Sequence, residues 1–153
     1  MNKAIVALCG AVALASSDAT AAPNTTQTWT VADCQKAADA WNDAFNKKDV
    51  EALANMYDAK AGTFSNDYWT GTGHDALLAG FKQMVAAGRT EFNVKCEYAA
   101  PEGDTVLSNG SYALSGKAPD GKDISAAGHW IVVGRNGLIL RHFSNEQRQP
   151  PSK

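Results

Sequence analysis

Two apolar runs, Gly128-His129-Trp130-Ile131-Val132-Val133 and Leu138-Ile139-Leu140-Arg141-His142-Phe143, meet across Asn136-Gly137, and this arrangement predicts a β-hairpin. Asn-Gly tolerates the positive φ that both central positions of a type I′ turn demand, and that turn matches the twist of its flanking strands. Side chains of a strand alternate between faces, so His129, Ile131 and Val133 point one way while Trp130 and Val132 point the other. Pairing across a turn centred on Asn136-Gly137 then puts Leu140, His142 and Ser144 on the His129 side. Two imidazoles on one otherwise apolar face predict a pocket without naming its chemistry.

The other end of the chain reads as an address. Met1-Asn2-Lys3 leads into an apolar run from Ala4 to Ala15, too short to span a bilayer, and Ala19-Thr20-Ala21 offers the small residues that signal peptidase reads. Residues 1–21 are therefore expected to be a signal peptide cut after Ala21, which makes the mature protein secreted or periplasmic with no membrane span. Residues 22–30 form a Pro, Asn, Thr and Gln lead-in, residues 31–147 a single domain, and residues 148–153 a tail. The formal charge of −2 comes without any basic run, which argues against nucleic acid as a partner. Of three cysteines, Cys9 leaves with the signal. In an oxidising compartment Cys34 and Cys96 are expected to be joined, the alternative being two buried thiols.

Between these ends the period of the pattern changes once. Thr30 is a natural N-cap, and Cys34, Ala38, Trp41 and Phe45 make the apolar stripe of a first helix. Asp49 caps a shorter second helix that buries Val50, Leu53, Ala54 and Tyr57. A brief strand near Gly62 to Asn66 and an aperiodic loop over residues 67–73 follow. A third helix opens at His74-Asp75 and stops at Gly88. Beyond it Phe92, Val94, Cys96 and Tyr98 alternate with polar residues. Turns at Pro101-Glu102-Gly103-Asp104 and Pro119-Asp120-Gly121-Lys122 separate long strands, the middle one expected to bulge at Asn109-Gly110. Helices first and an antiparallel meander afterwards make an α+β plan. The last two strands are apolar on both faces, and helices cover one, so the other should meet a second subunit or another layer.

The strings Trp41-Asn42-Asp43-Ala44-Phe45-Asn46-Lys47-Lys48-Asp49-Val50-Glu51-Ala52-Leu53, Met56-Tyr57, Gly73-His74-Asp75-Ala76-Leu77 and Asn136-Gly137-Leu138-Ile139, in this order, resemble the nuclear transport factor 2-like superfamily. That superfamily includes ketosteroid isomerases and SnoaL-like cyclases, and the resemblance runs from Val31 to Gln147. It implies three N-terminal helices packed on a curved, mixed but mostly antiparallel sheet that forms a cone with a central pocket, and a homodimer through the outer sheet face. The isomerases' general-base Asp, oxyanion-hole Tyr and late-strand Asp fall on Asn66, Trp41 and His129. None is retained, so steroid-type isomerisation is not implied.

Candidate ligand contacts are the aromatics that would face the cone, Trp41, Phe45, Tyr57, Phe64, Tyr68 and Trp69, together with Asn66. Candidate catalytic groups are His129 and His142, imidazoles being the side chains best suited to acid or base work, and the carboxylate of Asp67. His74, His129 and His142 lack the tight spacing of metal ligands, and there is no phosphate loop or nucleophile elbow, so neither metal nor cofactor is expected. The acceptor patterns Asn24-Thr25-Thr26 and Asn109-Gly110-Ser111 are read as chance. Three functions are then open. A pocket for a small apolar or amphipathic ligand without turnover comes first, a lyase, cyclase or isomerase using His129 second, and an association module third.

Overall fold

The structure, a computed structural model, describes residues 28–147. The expected signal peptide, most of the lead-in and the tail lie outside the described residues. Helix α1 (Val31–Asn46) starts where its cap dictates. Thr30 Oγ1 accepts from the backbone N–H of Asp33 at 3.2 Å and the Asp33 carboxylate accepts from the backbone N–H of Thr30 at 3.1 Å, a reciprocal capping box. Asp49 caps α2 (Val50–Asn55) through the backbone N–H of Ala52, and α3 (His74–Ala86) ends before Gly88, whose φ of 85° suits a position beyond the helix end. The strands are β1 (Thr63–Ser65), β2 (Thr70–Thr72), β3 (Arg89–Glu102), β4 (Thr105–Lys117), β5 (Asp123–Arg135) and β6 (Leu138–Glu146). They form one open sheet in the order β2-β1-β6-β5-β4-β3, with β1 parallel to β6 and every other pair antiparallel.

Three helices on a six-stranded mixed sheet are the cone expected from the sequence, and α1 lies along β3. The main core gathers Trp41, Phe45, Leu53, Tyr57, Phe64, Leu77 and Phe81, with Phe45, Phe81, Leu53 and Leu77 fully buried. Each such side chain contributes about 1.5–3 kcal/mol by leaving water. A second cluster joins Cys34, Cys96 and Trp130. Its centre is a disulfide between Cys34 on α1 and Cys96 on β3, with Cα atoms 6.1 Å apart. No helix among the described residues is long and apolar enough to cross a membrane, and this and the disulfide are compatible with an extracellular or periplasmic protein.

Three expectations need correction. The stretch 67–73 is not wholly loop, because Thr70–Thr72 pairs with β1. The bulge foreseen at Asn109-Gly110 sits across the ladder instead. Glu97 on β3 is the extra residue, between the pairs Cys96↔Gly110 and Tyr98↔Asn109. The third correction decides the site. Asn136 and Gly137 do adopt positive φ, 52° and 78°, and Arg135 faces Leu138 as the type I′ turn requires. The next pairs, however, are Gly134↔Ile139 and Val133↔Arg141, so Leu140 is an additional residue on β6. A slip of one residue sends every later side chain to the opposite face. His142 therefore pairs with Val132, and His129 and His142 stand on opposite faces of the sheet.

Candidate functional site

Cross-strand partners share a face, so the ladders list what lines the concave side row by row. Val94, Tyr112, Gly128 and Glu146 form one row, Cys96, Gly110, Trp130 and Ser144 the next, and Ser108, Val132, His142 and Phe64 the third. Between this face and α1 lies a cavity of about 150 Å³ whose wall includes Trp41, Phe64, Phe92, Trp130, Val132 and His142. Glycines make room for its large rings. A Cβ on Gly110 would strike the carbonyl oxygen of Lys95 and come within 3.0 Å of the Trp130 ring, and a Cβ on Gly128 would meet the Tyr112 ring edge at 2.8 Å.

His142 is the polar centre of this wall. It is buried, and its ring meets those of Phe64, Trp41 and Trp130 at 4.8, 5.9 and 6.4 Å between centroids. Its Nδ1 lies 2.8 Å from Tyr57 Oη, and Tyr57 Oη accepts a 3.3 Å hydrogen bond from Trp41 Nε1. Burial without a compensating charge pulls the His142 pKa down from 6.5 to about 3, so the imidazole is neutral. Burial likewise pushes the Tyr57 phenol far above its ordinary value, leaving it protonated.

A second polar group sits where the chain enters β3 and leaves β6. Arg89 Nη1 and Glu146 Oε1 are 2.8 Å apart, both mostly buried. Tyr68 Oη donates to Glu146 Oε2 at 2.5 Å, and the Arg89 guanidinium lies 4.2 Å from the Tyr68 ring centroid, a cation–π contact. Asp67 Oδ2 accepts the backbone N–H of Glu146 at 2.8 Å. Asn66 Oδ1 accepts the backbone N–H groups of both Tyr68 and Trp69, an Asx turn that sets the loop. Tyr112 stands beside this cluster, its phenol pushed up to about 12 chiefly by burial and then by the nearby Glu146 carboxylate.

Of the residues picked from sequence, Trp41, Phe64, Asn66, Asp67, Tyr68 and His142 line the cavity. Phe45, Tyr57 and Trp69 do not. Phe45 stacks on Trp41 in the core, Tyr57 stands behind His142, and Trp69 packs between Phe64 and Phe81 over Gly80. His129 is on the outer face, exposed, 2.7 Å from the side-chain nitrogen of Gln147, and so does not hold the pocket position assigned to it. His74 is remote as well, beside Glu51 and Asp75, and no metal-holding cluster occurs among the described residues. Sequence reasoning missed Trp29, Arg89, Tyr112, Trp130 and Glu146 as wall residues. Arg89 and Glu146 are 57 positions apart and carry no joint signal, whereas Phe92 and Val94 were already legible as the dry side of β3.

The chain belongs to the SnoaL-like domain family, whose pattern matches residues 38–142. Solved structures carry the same fold. A ketosteroid isomerase-like protein from Erwinia carotovora atroseptica aligns over 78% of this chain and 97% of its own, with TM-score 0.69 and 16% identity. A nuclear transport factor 2-like superfamily protein from Salmonella enterica serovar Typhimurium covers 77% of this chain and 91% of its own, with TM-score 0.66 and 10% identity. A protein of ketosteroid isomerase-like fold from Catenulispora acidiphila, in complex with trimethylamine, covers 71% and 83% respectively, with TM-score 0.58 and 18% identity. At these identities the likeness is one of fold. No curated protein sequence matches the chain.

Proposed function

We propose that this is an exported domain that binds a small apolar or amphipathic molecule in the hollow of its cone. The observation that carries the reading is a cavity of about 150 Å³ whose wall is mainly aromatic and aliphatic around one neutral imidazole, with the charged side chains at its rim, Arg89 and Glu146, paired to each other. An apolar cavity of that size in another protein stays dry and takes up benzene, so an occupant near the size of a single ring fits. The trimethylamine complex is a precedent for a protein of this fold holding a small organic molecule. Export rests on the pattern of residues 1–21 and on the disulfide, and one domain over residues 31–147 on the resemblance. N-terminal sequencing of the mature protein is expected to begin at Ala22. Toluene should raise the melting temperature of the parent saturably, and Val132→Phe, which fills the cavity wall, should abolish the rise. No rise in the parent at saturating toluene would remove the binding reading.

A second reading, association through the outer sheet face, is favoured by one row of that face. Tyr98, Asn109, Ile131 and Phe143 are successive ladder partners, and Tyr98, Ile131 and Phe143 are 45%, 48% and 49% exposed. Three large apolar side chains in line suit a homodimer contact. Sedimentation should find a dimer that Phe143→Asp splits; a monomeric parent would refute this reading.

A further inference from the structure

Hydrogen-bond directions around His142 are fixed by elimination. Indole Nε1 is donor only, so Trp41 donates and Tyr57 Oη accepts. The Tyr57 hydroxyl proton, buried with the residue, then has one acceptor within reach among the described residues, His142 Nδ1 at 2.8 Å. The opposite tautomer would aim two donors at one phenol oxygen and leave the phenol's own proton unpaired, at the cost of an unsatisfied buried group. Nδ1 is therefore the bare nitrogen and Nε2 carries the hydrogen. Nε2 has no partner among the described residues, and His142 itself, unlike Tyr57, is part of the cavity wall.

We propose that the cavity selects for a hydrogen-bond acceptor: its occupant is a small neutral molecule with one carbonyl-type oxygen, held by the Nε2–H of His142 while aliphatic or aromatic surface fills the remainder. This deepens the binding reading above and rests on it. The rings nearest His142, those of Trp41, Tyr57, Phe64 and Trp130, bring no charge to that end of the cavity, and the charged groups elsewhere in the wall are already engaged, Arg89 by Glu146, Arg135 by Asp104 and Asp67 by the backbone N–H of Glu146, so an anion or an ammonium ion beside His142 finds no counter-charge there. The ring remains neutral down to about pH 3, so the same donor is presented over the whole ordinary pH range. Donor-only groups fare worse. An ammonium or a C–H edge placed against Nε2–H gains no hydrogen bond and leaves the imidazole unpaired.

The test is a matched pair of probes, cyclohexanone and methylenecyclohexane, which differ by C=O against C=CH2. Each is titrated into the disulfide-bonded protein and followed by tryptophan fluorescence, since Trp41 and Trp130 line the cavity. Cyclohexanone should bind about tenfold more tightly than methylenecyclohexane, the worth of one neutral hydrogen bond. His142→Gln, whose amide can accept from Tyr57 and still donate inward, should keep the preference, and His142→Leu should erase it. Equal binding of the two probes by the parent overturns the acceptor proposal and leaves the binding reading standing. Binding of neither probe overturns both. Because His142→Leu leaves the Tyr57 hydroxyl without a partner and risks unfolding, a second measurement on the parent stands beside it. Long-range proton–nitrogen correlation should find His142 protonated at Nε2 and bare at Nδ1, and the reverse pattern overturns the proposal.

Discussion

Burial of His142 as a neutral base makes stability depend on acid in a way that one substitution can isolate. Unfolded, the imidazole titrates near its ordinary 6.5; folded, it titrates near about 3. Above pH 6.5 both states are unprotonated there and the group adds no pH dependence. Between 6.5 and about 3 the unfolded chain binds a proton that the native state refuses, so unfolding becomes easier as pH falls. The slope approaches ~1.4 kcal/mol per pH unit, and the accumulated loss at about pH 4.5 is roughly 2.5 kcal/mol. That is a large share of the roughly 5–15 kcal/mol that holds a domain together. Carboxylates held low by local hydrogen bonds, such as Asp33, Asp58 and Asp120, also lose their stabilising contacts in acid, so the raw curve mixes several groups. His142→Gln keeps the hydrogen bond to Tyr57 and removes only the imidazole. Urea unfolding of parent and variant at pH 7, 6, 5 and 4.5 gives two curves whose difference cancels the carboxylates. The parent should lose stability relative to the variant at ~1 kcal/mol or more per pH unit below pH 6. Parallel curves would mean that His142 charges freely in the native state, and the account of its burial would be wrong.

Reducing the Cys34–Cys96 bridge frees a loop with a sequence separation of 62 and should lower stability by up to about 4 kcal/mol, read as a drop in the guanidinium midpoint with dithiothreitol; an unchanged midpoint would refute it. Gly110→Ala drives a methyl against the Lys95 carbonyl and the Trp130 ring and should cost about 1–3 kcal/mol by the same measurement, whereas a neutral result would show that β3 and β4 yield more than their register implies. Replacing Glu146 by Gln removes the charge opposite Arg89 and one of the two acceptor oxygens that Arg89 and the Tyr68 hydroxyl use, so hydrogen exchange of the loop amides at Tyr68 and Trp69 should quicken; unchanged protection would mean that the Asn66 turn alone holds the loop.

The architecture was legible because its signals are local. Thr30 with Asp33, Asp49 before Val50, and Asn136-Gly137 each act within a few residues, and the structure places helix starts and hairpin turn where those side chains direct. The Cys34–Cys96 pairing followed from compartment rather than geometry. The site was legible only in part, because it is assembled from ladder pairs. Nothing in Leu138-Ile139-Leu140-Arg141 marks Leu140 as supernumerary, since the usual bulge glycine is absent, and yet that residue decides which imidazole is inside. With β6 shifted, Trp130, Val132, His142 and Ser144 share one side, and His129 goes outside with Ile131 and Phe143. Likewise, the parallel pairing of Phe64 with His142 links segments nearly eighty residues apart, about the span of the Asp67–Glu146 bond, and no period or spacing announces either.

A cavity between a helix and a sheet invites collapse, and the side chains of α1 explain why it persists. β3 is an edge strand, and α1 treats its backbone as a partner. Gln35 accepts from Cys96 N–H at 2.8 Å and donates to the Val94 carbonyl at 3.1 Å; Asn46 accepts from Phe92 N–H at 2.8 Å and donates to the Phe92 carbonyl at 3.0 Å. Two amides about three turns apart thus occupy edge groups that would otherwise recruit another strand. With the disulfide one residue before Gln35, they hold the helix at the rim of the sheet rather than above its centre. The helix cannot then settle onto Trp130 and Val132, and the hollow that they line stays available to an occupant.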